Sequence, residues 1–302
     1  MTYLYLVLTT FFWAAVFHLG KYAINYMSPL SAAAWRFLVA GVLLIPVVFF
    51  QKAWDGNAIH RNVWPILAMG VIGVFGFNAS LFFGLKLTSP VNGGLIMGFN
   101  PAITALLTAT LLGEKIQPRQ WLGFAISLAG VVVIVCRGSL QQLLSMSFST
   151  GDLLIVLGCT CWALYSVIPK RFVKQLPTML MTTSTIVVGA ISLAVMAQLT
   201  AGDLFVVQSW PVIATVVAMS VFGSVLAYIW WNQGIARIGA ARAAIFVNLV
   251  PLYGCHWRGT GTILVGCPAG RCSIGYRWSN HDCVDKAGSD RRCNQGWRLK
   301  HC

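Results

Sequence analysis

Arg36 stands inside an apolar run, in "SAAAWRFLVAG" (31–41). A cation at the centre of a membrane helix costs roughly 2.5–3.5 kcal/mol or more, so it must face a polar cavity or a partner unless it reaches the interface. Arg36 is only about two turns from the start of its run at 1.5 Å per residue, so snorkelling to that interface is the competing reading. His18 and Lys21 lie one turn apart near the end of the first run, where they could form a polar entrance for an anionic group or anchor the helix at the interface. Four amides, Asn78, Asn100, Asn232 and Asn248, fall within or near apolar runs. Asn100 precedes Pro101, and Asn248 stands three residues before Pro251. Proline frees a backbone carbonyl, which in a membrane is tolerated only beside protein or a water-filled cavity. These amides and prolines could therefore border a central site, or serve as interhelical hydrogen-bond links. Trp13, Trp162, Tyr165, Tyr228 and Trp231 could line a pathway or simply pack.

The elements that must hold these residues follow from composition. The chain has 302 residues, 58% hydrophobic and 9% charged, against about 25% charged in soluble domains. Lipid is the solvent such a chain suits, and its long unbroken apolar runs fit transmembrane helices rather than alternating barrel strands. Eight runs are clear, roughly at 3–20, 30–50, 64–84, 91–112, 121–136, 152–169, 178–199 and 211–233, and a ninth begins near Ala240 and fades at Gly254. The first has no basic leader and no cleavage site, so it reads as a retained helix. The net charge of +14 is no nucleic-acid footprint, because the cations are scattered between runs. With a cytoplasmic N-terminus, inside loops hold nine Lys and Arg and outside loops only Lys21, Lys86 and Arg137. The positive-inside rule therefore favours N-in, a multi-pass protein of the inner membrane.

The chain also repeats. "FFWAAVFHLGKYA" (11–23) matches "TCWALYSVIPKRF" (160–172) at an offset of 149, with Trp13 on Trp162 and Lys21 on Lys170. At an offset of 150, Met69, Gly73, Gly84 and Pro101 meet Met219, Gly223, Gly234 and Pro251. Five helices per copy would invert the second copy in the membrane, a common build for secondary transporters. The expected fold is an all-α polytopic membrane protein on a ten-helix plan of two inverted five-helix repeats. The first repeat spans 1–137. The second, 151–254, is incomplete, so that eight full helices and a partial ninth precede an aberrant tail, 255–302. That tail is basic and holds six of the nine Cys. It reads either as a native Cys-rich segment or as sequence translated out of frame, since a one-base shift from Cys255 permits an apolar continuation.

These features resemble the drug/metabolite transporter superfamily, EamA type. The resemblance rests on "FFWAAVFHLGKYA", "SAAAWRFLVAG" and "NPAITALLTATLLGEKI" (100–116) and covers about residues 3–254. It implies ten helices in two inverted repeats, movement of small metabolites across the inner membrane, and a role for Arg36. Residues 255–302 depart from it, where "LLGE" should recur and a tenth helix follow. The expected function is secondary transport, as exporter or permease, by alternating access between the repeats. The rival readings are a membrane sensor, an intramembrane enzyme, or a defective chain that inserts without transporting. No Asp or Glu falls mid-run to relay protons, which leaves proton or ion coupling open, as is a homodimer. No nucleotide loop, catalytic triad or HExxH occurs. The expected partners are lipid and a small metabolite; no cofactor, metal or nucleic acid is expected, and no enzyme activity.

Overall fold

In a computed structural model, the structure describes residues 1–88, 90–135, 141 and 149–253. The expected basic segment 255–302 lies outside them, as does Arg137. The described chain is helical, with no strands among the described residues. We number the long segments α1 (Thr2–Ala23), α2 (Pro29–Phe50), α3 (Val63–Leu87), α4 (Asn92–Leu112), α5 (Pro118–Val135), α6 (Thr150–Phe172), α7 (Thr178–Thr200), α8 (Trp210–Ile238) and α9 (Ala240–Tyr253). Among the described residues, seven of them are long and apolar enough to cross a bilayer. A 22-residue helix such as α1 rises about 33 Å, enough for a hydrocarbon core of roughly 30 Å. Large apolar side chains such as Val42, Leu122, Ile126 and Leu199 are exposed on these helices. Water would penalise such a surface and lipid does not. This is a polytopic all-α protein embedded in a lipid bilayer.

Local chemistry sets the helix ends. Ser28 caps α2, its side chain accepting from the Ser31 N–H at 3.2 Å, and Pro29 follows at a position that needs no donor. Gly113, with φ 69°, closes α4 in the left-handed region that glycine enters without strain. Both α3 and α8 run a few residues beyond their apolar stretches, because helical hydrogen bonding continues past Lys86 and Arg237 after hydropathy has faded. Each also contains an unexpected wide turn of π-helix, Met69–Gly76 in α3 and Met219–Leu226 in α8. The two lie 150 residues apart.

Packing follows the small residues. The main pairings are α2 with α7, α6 with α3 and α4, and α1 with α8. Where α3 crosses α6, a Cβ on Gly84 would stand 2.7 Å from Ile155, and one on Gly73 2.6 Å from Tyr165. Where α8 crosses α1, a Cβ on Gly234 would stand 2.6 Å from Leu6, and one on Gly223 would collide with Val16. Gly98, of the Gly94-x3-Gly98 pattern, lets α4 approach Val131 of α5. The core gathers Phe37, Leu44, Met69, Ile186, Tyr165 and Trp231.

Candidate functional site

Arg36 is carried on α2, two turns below the Ser28 cap, on the face that turns toward α3. Its Nη2 donates to Asn78 Oδ1 at 3.1 Å, and the Asn78 Nδ2 donates to the Val74 carbonyl at 2.7 Å, which fixes the amide with its oxygen toward the guanidinium. The Arg36 Cζ lies 4.4 Å from the Phe37 ring centroid. Its Nε is sealed from solvent without a hydrogen-bond partner. The single salt bridge among the described residues joins Lys170 to Glu114, so no carboxylate there neutralises Arg36. Glu114 thus pairs across to α6 rather than with its neighbour Lys115.

Arg36 and Asn78 line a cavity of about 410 Å³ with Trp13, Lys21, Lys86, Asn100, Trp162 and Tyr228. Phe17, Phe77 and Phe82 supply further aromatic wall. The volume lies within the roughly 300–1,000 Å³ common for small-molecule sites. The cavity opens between the end of α1, the start of α2 and the end of α3. Lys86 stands at that mouth, 5.6 Å from the Phe83 ring centroid. At the opposite end of the bundle a second cavity, of about 630 Å³, lies among the ends of α6 and α8 and the starts of α5, α7 and α9. It is lined by Glu114, Lys115, Lys170, Arg237 and Arg242, and inward by Met181 and Asn232.

A layer of aromatic rings stands between the two. Trp162, on the wall of the first cavity, stacks on Tyr165 at 5.3 Å and 12°, and Trp231 lies 5.6 Å from Trp162. Trp13 meets Trp162 edge-on at 5.2 Å and donates from Nε1 to the Gly223 carbonyl at 3.1 Å. On the far side, Asn232 Nδ2 donates to Tyr165 Oη at 2.9 Å and to Thr182 Oγ1 at 2.8 Å. Trp231 Nε1 donates to Ser166 Oγ at 3.3 Å. Tyr165 therefore touches both the wall of one cavity and, through Asn232, the wall of the other.

Of the residues singled out by sequence, the first cavity brings together Trp13, Lys21, Arg36, Asn78, Asn100, Trp162 and Tyr228. Tyr165, Trp231 and Asn232 form the layer behind it. The rest lie elsewhere. His18 pairs through Nδ1 with the Ala14 carbonyl at 2.9 Å. Pro101 is buried at the start of the second part of α4, after the helix breaks at Phe99. Asn248 Nδ2 donates to the Gly98 carbonyl at 3.2 Å and to Ser127 Oγ at 2.8 Å, linking α9 to α4 and α5. Pro251 lies partly exposed near the end of the described chain. Asn100, on the wall of the first cavity, also reaches the Cys159 carbonyl from Nδ2 at 3.4 Å.

Sequence reading did not find Lys86 as a wall residue, nor Thr182, nor a carboxylate clasp at the mouth. Asp203, between α7 and α8, accepts from Ser31 Oγ and the Ser28 N–H at 2.5 Å each and from Ser28 Oγ at 2.9 Å. Burial pushes its carboxyl up, and the hydrogen bonds from Ser31 and Ser28 more than offset this, so its pKa lies below the ordinary carboxylate value. A second carboxylate, Asp152 at the start of α6, accepts from Thr88 and Asn92. Only local charge near a loop could have signalled either.

Cavities entered from both ends of an apolar bundle, with rings between them, define a membrane protein built to handle small molecules. The EamA-like transporter family model matches residues 1–136 and 149–257. The chain belongs to that family, and it is a membrane transporter of small molecules. It is 41% identical over 254 residues to the "Uncharacterized transporter YyaM" of Bacillus subtilis, covering 83% of this chain and 82% of that one. It is 28% identical over 212 residues to the "Aromatic amino acid exporter YddG" of Ancylobacter novellus, covering 69% of this chain and 71% of that one. A solved crystal structure shares the fold, with a TM-score of 0.68 at 23% identity over 89% of this chain and 90% of that one.

Proposed function

We propose that the chain is a secondary transporter of the inner membrane, moving a small metabolite by alternating access, with the N-terminus cytoplasmic. The observation that carries this reading is the pair of cavities at opposite ends, divided by the Trp162–Tyr165–Trp231 layer. A channel would need one continuous path. A transporter needs two half-paths and a barrier that can change sides.

The two moving parts are residues 1–137 and 151–254, read as inverted repeats. Their crossings support this. The contact of Gly84 with Ile155 answers that of Gly234 with Leu6, and Gly73 with Tyr165 answers Gly223 with Val16. In both pairs the glycines lie 150 residues apart and their partners 149. Equivalent crossings with equivalent close approaches let the two halves exchange shapes. The nine-to-three distribution of loop cations supports an orientation with the Arg36 cavity outside and the Asn232 cavity inside. In that orientation the first cavity would face outward and the second inward, and the substrate would be held at Arg36 and Asn78 on the outer side. The ring-lined wall also suits a substrate with an apolar body, in keeping with the name of the Ancylobacter relative.

Deleting the gene in its host and then restoring it tests transport. One metabolite should accumulate inside, or fail to enter, in the deletion strain, and return to its former level on restoration. Unchanged internal and external metabolite pools across all three strains would refute the reading.

A further inference from the structure

We infer that the substrate is a small organic anion, a single carboxylate-type group on an apolar or aromatic body, and that its charge is the missing counter-ion of Arg36. This rests on the transport reading above and adds the chemical class. Among the described residues, every side chain with a fixed charge on the outer cavity wall is positive: Lys21 and Lys86 toward the mouth and Arg36 in the depth. No Asp or Glu is among the described wall residues. Asp203 and Asp152, the nearby carboxylates, are engaged by hydroxyl, amide and backbone donors rather than by Arg36.

A half-buried guanidinium, with its Nε sealed and no anion beside it, is a costly arrangement, since withdrawing a charge from water is tolerable only when it is paired and hydrogen-bonded. Arg36 has one amide oxygen and one ring face for company, and its Nε has no partner. Its planar fork has donors to spare for a carboxylate. The two lysines at the mouth raise the local concentration of anions before they reach it. Apart from Asn78 and Asn100, the remaining wall is apolar, with aromatic rings such as Trp13, Phe77 and Trp162 among aliphatic side chains, which favours a substrate with an apolar body over a bare inorganic ion. An ammonium group on the same substrate would meet three cations and no carboxylate. The wall therefore selects a net anion over a zwitterion.

Equilibrium binding to the detergent-purified full-length chain tests this with four probes sharing one phenyl body: phenylacetate, phenylalanine, 2-phenylethanol and phenethylamine. Phenylacetate should bind at least about tenfold more tightly than each of the others, a difference of roughly 1.4 kcal/mol. In Arg36→Gln that preference should vanish, and Arg36→Lys should keep part of it, because a point charge replaces the fork. Size-exclusion profiles and melting temperatures check that the variants fold; if Arg36→Gln does not, the order of the four probes on the unaltered chain decides. A preference for the zwitterion, the alcohol or the amine, no saturable binding of phenylacetate, or a phenylacetate preference unchanged in a folded Arg36→Gln protein would each overturn the inference. Counterflow in proteoliposomes separates this from the transport reading. Movement of phenylalanine or phenethylamine in preference to phenylacetate removes the anion assignment and leaves transport standing. Arg36-dependent binding of phenylacetate without counterflow of any probe keeps the site and removes transport.

Discussion

Replacing Asp203 with alanine should loosen the outer mouth by a measurable amount. The carboxylate accepts three hydrogen bonds at the start of α2, from Ser31 Oγ, Ser28 Oγ and the Ser28 N–H. A hydrogen bond to a charged group is worth about 1.5–3 kcal/mol net. The three share one partly exposed carboxylate, and Ser28 keeps its own cap on the Ser31 N–H in the variant, so together they count for about one. The favourable meeting of a negative charge with a helix N-terminus adds about 0.3–1 kcal/mol. The expected loss is about 2–4 kcal/mol, or roughly 4–16 °C in melting temperature at about 2–4 °C per kcal/mol. Asp203→Asn keeps an acceptor and should lose less. The pH dependence has a definite sign. The folded-state pKa is lowered, burial acting upward and the Ser31 and Ser28 hydrogen bonds outweighing it. The stabilisation is therefore complete above the unfolded value of about 3.9 and is lost as pH falls through the lower folded value. Melting curves of the purified protein at pH 7, 5 and below about 4 should show a gap between native and variant that is constant at the first two and shrinks at the last. An Asp203→Ala protein as stable as the native one at neutral pH, or a gap indifferent to acid, would refute the reasoning.

Gly73→Ala would place a methyl 2.6 Å from Tyr165 and should cost about 1–3 kcal/mol by overpacking. Gly123→Ala, with nothing within 4 Å of its Cβ, should be neutral or gain up to about 1 kcal/mol from helix propensity; melting temperatures of the pair check both. For orientation, a cysteine at Phe205 should react with an impermeant maleimide in intact cells and one at Val173 should not. The reverse pattern would place the N-terminus outside.

The helices were legible because apolar runs of membrane length leave little else for the backbone to do. Arg36 was legible for the same reason: a charge inside such a run demands a setting, and Asn78 and the cavity wall are that setting. The offset that joins Met69 and Gly73 to Met219 and Gly223 was visible, yet the wide turns that begin at Met69 and Met219 were not. A single residue too many per turn changes no hydropathy pattern. Asp203 read as one polar residue in a loop, since its donors lie 172 and 175 residues away in the chain and no local period links them. A separation of 50 residues likewise hid the bond between Asn232 and Thr182. Gly84 and Gly234 could be matched by sequence, but not the side chains they admit.

The wide turns in α3 and α8 bear on how such a chain can change length over generations. Each is the form an extra residue takes when it is absorbed into a helix without breaking it. Loss of one codon within 69–76 or 219–226 would leave an ordinary α-helix in its place, with Asn78 or Asn232 still on its original face. The same loss in the middle of α6, which has no wide turn to take it up, would swing one half of that helix by about 100° against the other and carry Trp162 and Tyr165 off the barrier. The family's shorter and longer members should therefore differ by single residues at these two windows and stay fixed in length through α6.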